Sequence, residues 1–109
     1  LIMKLVLAIV GNDDQAAVLS ALTAESFQAT KLATTGGFLK AGNTTFLIGV
    51  EDNKVNRVIE IITEYSSKRT QVVPSSTAMD VGMYTSFPIE ITVGGATIFV
   101  LNVEHYEKI

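Results

Sequence analysis

The chain is 109 residues long, 48% hydrophobic and 17% charged, with a formal net charge of -3 and no cysteine. That length has room for one domain around one hydrophobic core, and the composition is too apolar for disorder. Without cysteine there is no disulfide framework, thiolate metal site or cysteine nucleophile, and an acidic chain whose only basic cluster is Lys68-Arg69 is a poor binder of nucleic acid phosphates.

So little charge is thin cover for a monomer's whole surface, and self-association is expected. Met3 reads as a natural start, which makes residues 3–109 the expected domain and residues 1–2 an extension. The apolar run Leu5 to Val10 is far shorter than the roughly 20 residues a membrane helix needs, so a buried strand and a cytoplasmic protein are expected.

Lys4 to Val10 predicts a first strand, which ends at Gly11-Asn12-Asp13-Asp14. Asn12 can cap a helix there, with Gln15 reaching back as its capping-box partner. From Asp13 to about Ser26, Val18, Ala21, Leu22 and Glu25 recur at helical spacing, with Leu19 widening the apolar stripe. Phe27 to Ala33 predicts a second strand, closed by Thr34-Thr35-Gly36-Gly37. Thr44 to Glu51 predicts a third, and the short connection favours antiparallel pairing with the second.

Asp52 or Asn53 is the expected cap of the next helix, where Val55, Val58, Ile59 and Ile62 fall at i, i+3, i+4 and i+7. From Ser66 to Phe87 the periodicity disappears into Ser, Thr, Gly and Pro, which predicts a long loop, mobile over about residues 70–86. Pro88 to Val93, Gly94-Gly95 and Ala96 to Val103 predict a glycine-turned hairpin. The order is α+β: a ferredoxin-like βαββαβ with an extra C-terminal strand. Helices on one side leave the other face of the sheet open and apolar, which oligomerisation through the sheet would bury.

Catalytic signals are weak. His105, the only histidine, lies beside Glu104 and Glu107, so a metal site would need carboxylates for its other ligands. The pairs Asp13-Asp14 and Glu51-Asp52 stand at expected helix starts, where negative charge suits the helix dipole. No G-x-S-x-G elbow, Walker pattern or G-x-G-x-x-G occurs. The informative stretch is Ala29 to Val50, ATKLATTGGFLKAGNTTFLIGV. Gly36 and Gly37 can expose backbone N–H groups to an anion, Thr30 and Thr34 can donate to phosphate oxygens, and Phe38 offers a ring for stacking. A plain hairpin turn fits the same residues.

That stretch, together with VGGATIFVL at Val93 to Leu101 and the N-terminal MKLVLAIV, resembles the PII-like signal-transduction proteins of the bacterial cyclic-di-AMP receptor family. The resemblance covers nearly the whole chain apart from the long loop and the tail. It implies a homotrimer that binds the second messenger cyclic-di-AMP in clefts between neighbouring subunits, has no cofactor and no catalytic activity, and signals to an unknown downstream protein partner by changing loop conformation.

It further implies that Thr30 holds a phosphate through its hydroxyl and that the backbone amides of Gly37, Phe38 and Leu39 ring the phosphates beside Gly36. Asn43 hydrogen-bonds an adenine edge, the backbone at Gly49 faces adenine, and Phe38 and Phe99 supply apolar or stacking surface. Phe99 fits a core position equally well. Gln28 and Lys40 stand where members of the family commonly carry arginine, so Gln28 keeps a donor for phosphate but neutralises no charge. Two other readings belong to different classes: a PII-type sensor of ATP and an oxoacid, and a nucleotide phosphodiesterase. The first is disfavoured by the short link from Phe38 to Asn43, and the second by the lack of a visible general base or metal cluster.

Overall fold

Alternation along the first strand decides where the core lies. In the computed structural model, which describes residues 2–32, 42–74 and 88–109, β1 spans Met3–Gly11 and buries Val6, Ala8 and Val10. Leu5, Leu7 and Ile9 point the other way and stay half-buried, as the two-residue period of a strand requires. β3 (Asn43–Glu51) lies antiparallel to β1 with Leu7 opposite Leu47, and β2 (Ala29–Lys31) extends the sheet from β3.

Two helices, α1 (Gln15–Ala24) and α2 (Val55–Ser66), cover the Val6 face. Val18 and Leu22 of α1 and Val58, Ile61 and Ile62 of α2 are buried against Phe46 and Ile48. Ile61, rather than the expected Ile59, completes the core stripe of α2. Two more strands follow α2: β4 (Arg69–Pro74) and β5 (Pro88–Val93), paired antiparallel as a separate ribbon. β6 (Ala96–Asn102) then returns to pair antiparallel with β1, giving the sheet order β2-β3-β1-β6.

This order is the ferredoxin-like one, with two corrections. The expected C-terminal hairpin does not form: β5 pairs with β4, β6 pairs with β1, and Gly94-Gly95 is a corner between two sheets. The additional strands are therefore an insertion ahead of the last strand, and no extra strand follows it. The expected loop from Ser66 likewise begins as a strand, because Thr70, Gln71 and Val72 find ladder partners in Thr92, Ile91 and Glu90. Lone Val and Thr residues there give no clear period, and only the distant β5 completes their hydrogen bonds.

The helix ends depart from expectation too. Asp14 and Lys54 occupy the N-cap positions, neither with a side-chain capping bond, and a 3₁₀ turn at Asp52–Lys54 leads into α2. Asn12 is engaged elsewhere: its Oδ1 accepts a 2.5 Å hydrogen bond from the Thr44 hydroxyl. At the other end of α1, Ser26 takes a left-handed φ of 66°. The amides of Ser26 and Phe27 donate back to Thr23 and Leu22, closing the helix as a Schellman turn. Glu25 beside it receives the Arg57 Nε at 2.7 Å and also pairs with Arg57 Nη2, which ties α1 to α2.

Candidate functional site

The open face of the sheet gathers four of the expected site residues. Residues directly opposite in an antiparallel pair share a face. Thr30 pairs with Leu47, Leu47 with Leu7, and Leu7 with Phe99, so these four form one row across all four strands. Leu5 lies between Gly49 and Leu101 in the next row on that face, and Asn43 stands at its far end opposite Gly11. Thr30, Asn43, Gly49 and Phe99 thus lie on the side of the sheet away from the helices. Phe99 is 53% exposed, which removes it from the core.

The two ends of β3 open into separate clefts. One, of about 340 Å³, is lined by Phe27, Gln28, Gly49, Lys54 and Tyr106 among others. A Cβ built on Gly49 would meet nothing within 4 Å, so the space over its backbone is open to a flat ligand. The second cleft, of about 330 Å³, is lined by Gly11, Asn43, Lys68, Gly94, Gly95 and Thr97 among others. Asn43 is held from both sides there: the Asn12 amide donates to the Gly42 carbonyl at 2.8 Å, and Thr44 is bonded to Asn12.

Gly36, Gly37, Phe38 and Leu39, with Lys40, lie outside the described residues. Among the expected site residues that are described, Gln28 and Gly49 share a cleft, Asn43 lines the other, and Thr30 and Phe99 lie on the sheet between. Lys68 and Tyr106 are lining residues that sequence reasoning missed. Lys68 was visible only as half of the lone basic pair, and nothing in the tail's composition pointed Tyr106 toward Gly49.

Arg69, the other half of that pair, is committed to structure. Its Nη2 lies 2.7 Å from Asp14 Oδ1 and its Nη1 3.4 Å from Oδ2, with the Asp14 side chain 7% exposed. This hydrogen bond to Asp14 is the main reason the guanidinium holds its proton even more firmly than usual. The pair fastens the root of the β4–β5 ribbon to the start of α1, so Asp14 anchors the ribbon and makes no side-chain cap. At the opposite end of the fold, His105 Nε2 faces Glu107 Oε1 at 3.6 Å.

Among the described residues no cluster of three or more His, Cys, Asp or Glu side chains is arranged to hold a metal ion. Among them, too, no helix is long and apolar enough to cross a membrane. The geometry provides open aromatic and aliphatic surface, a cleft-lining asparagine and exposed backbone, which suits recognition of a flat polar ligand.

Comparison with known proteins agrees with that chemistry. A crystal structure described as a functionally unknown protein from Pediococcus pentosaceus ATCC 25745 superposes with a TM-score of 0.79 at 41% sequence identity. The alignment covers 99% of this chain and 98% of that one. Residues 3–109 match the family described as cyclic-di-AMP receptor. With all but the first two residues inside that match, the chain belongs to the cyclic-di-AMP receptor family.

Proposed function

We propose that the protein is a signal-transduction receptor that binds cyclic-di-AMP between neighbouring copies of a homotrimer and performs no catalysis. The observation that carries this reading, beside the family, is the division of the recognition residues along β3. Asn43 and Gly49 are six positions apart on one strand, which is about 20 Å at the rise of an extended chain. They line different clefts of the same copy, so a ligand touching both is best accommodated where the Asn43 end of one copy meets the Gly49 end of another. The uncovered row of Leu7, Leu47 and Phe99 supplies the apolar surface for that contact.

In this reading the Asn43 amide pairs with the donor and acceptor that adenine displays side by side, and the bare backbone of Gly49 lets a base lie close. Thr30, with Gly37, Phe38 and Leu39, faces the phosphates, and Phe99 gives stacking surface. The ribbon root lies beside the Asn43 cleft, so occupancy there is positioned to act on residues 75–87, which join β4 to β5 in the chain and lie outside the described residues. A downstream protein reads that effect.

Mixed assembly tests the shared site. Asn43→Ala and Gly49→Val homotrimers each bind cyclic-di-AMP weakly, whereas a co-refolded equal mixture regains wild-type affinity at about one cleft in four under random assembly. Failure of the mixture to regain any tight site would show that both contacts come from one copy, or that these residues do not contact the ligand.

A further inference from the structure

Cyclic-di-AMP carries two phosphodiester charges, yet Gln28 contributes no cation to the cleft it lines. The only adjacent basic pair of the chain, Lys68-Arg69, divides its work in the structure. Arg69 is held by Asp14 at 2.7 Å and also donates to the Ser67 carbonyl at 3.2 Å, so it is committed to the ribbon root. Lys68 is exposed, lines the cleft that contains Asn43, and shows no carboxylate partner among the described ion pairs.

The stem of Lys68 lies along the Gly95 corner. A Cβ on Gly95 would come within 3.2 Å of Lys68 Cγ and 3.4 Å of Cε, so the bare backbone there leaves the lysine its path. Gly95 itself is pinned through its amide to the Ser66 carbonyl. Fixed backbone on both sides therefore directs a flexible side chain into the cleft. A lysine head group is a compact charge with three donors, which suits a phosphate approached from one side.

We propose that Lys68 is a phosphate-facing cation of the nucleotide site and an affinity determinant, positioned by the Arg69–Asp14 pair. This rests on the reading of the Asn43 cleft as part of the cyclic-di-AMP site. Removing the charge removes a charge-assisted contact, so Lys68→Met weakens cyclic-di-AMP binding about tenfold or more, and Lys68→Arg restores most of it. Wild-type affinity falls between about 50 mM and 0.5 M salt as screening grows, and the fall is shallower for Lys68→Met.

The experiment is calorimetric titration of cyclic-di-AMP into the wild type, Lys68→Met and Lys68→Arg at both salt concentrations, with circular dichroism confirming an unchanged fold. Lys68→Met binding as tightly as the wild type with the same salt dependence overturns the proposal for Lys68 and leaves the receptor reading intact. Equal losses in Lys68→Met and Lys68→Arg, with an unaltered salt slope, overturn a charge role. A wild type that binds no cyclic-di-AMP overturns both.

Discussion

Gly94→Ala separates the two demands that the corner between β5 and β6 makes on the chain. Gly94 has φ 85°, and a Cβ there would lie 2.5 Å from the Ser67 carbonyl oxygen, 2.7 Å from an Arg69 guanidinium nitrogen and 3.1 Å from the Ser66 carbonyl oxygen. The left-handed backbone costs an alanine about 1–2 kcal/mol. Forcing a methyl group against main-chain oxygens adds about 1–3 kcal/mol, because backbone cannot swing aside as a side chain can. Together these give a loss of about 2–5 kcal/mol, a large part of the roughly 5–15 kcal/mol typical of a folded domain.

Gly42→Ala is the control. Gly42 has a similar φ of 91°, but its Cβ would meet nothing within 4 Å, so the backbone term of about 1–2 kcal/mol acts alone. Urea unfolding followed by circular dichroism measures both, at one fixed protein concentration because association shifts apparent stability. Should Gly94→Ala prove no more destabilising than Gly42→Ala, the packing of the corner against Ser67 and Arg69 would be refuted.

Three further substitutions probe the site and the helix pair. Gly49→Ala, with open space around its Cβ and no left-handed backbone, leaves stability within about 1 kcal/mol of the wild type but weakens cyclic-di-AMP binding, measured by parallel unfolding and calorimetry. Asn43→Ala weakens that binding by about 1–3 kcal/mol with unchanged mass in light scattering, and unaltered affinity would remove Asn43 from the site. The hydrogen bond from Arg57 holds the Glu25 carboxyl below the usual carboxylate range, so its stabilising contribution is present at neutral pH and disappears as acid protonates it. Glu25→Gln therefore lowers the melting temperature at pH 7, and the difference from the wild type shrinks as the pH falls below the ordinary carboxylate range, whereas a constant difference from neutral to acid pH would contradict the ion pair.

The sheet and its two helices were legible because their signals are local. The unbroken apolar run of β1 and the 3.6-residue period of α2 each follow from one segment's own pattern, and β3 declared itself by its Thr, Phe, Ile and Val content. The ribbon was not legible, because β4 is a strand only by virtue of β5, which follows it at a distance through Ser- and Thr-rich sequence. Gly94-Gly95 looked like a hairpin turn for the same reason: two glycines between apolar runs fit a turn and a sheet-to-sheet corner equally.

Asp14 shows a different limit. An acidic residue before a helix suggests a cap, and only the tertiary position of Arg69, 55 residues on, reveals that the carboxylate anchors the ribbon. Of the candidate site, the family motifs named Asn43 and Gly49 but not their separation into two clefts. The strand register supplies that. Lys68 stayed hidden because a solvated basic pair and a cleft-lining cation have the same sequence.

The central claim, that this chain is a cyclic-di-AMP receptor, is tested most directly by calorimetric titration of the wild-type protein with cyclic-di-AMP, cyclic-di-GMP and ATP. Saturable binding of one cyclic-di-AMP per chain, unaffected by an equal concentration of either competitor, is the predicted result. No heat with cyclic-di-AMP, or its displacement by ATP, would contradict it.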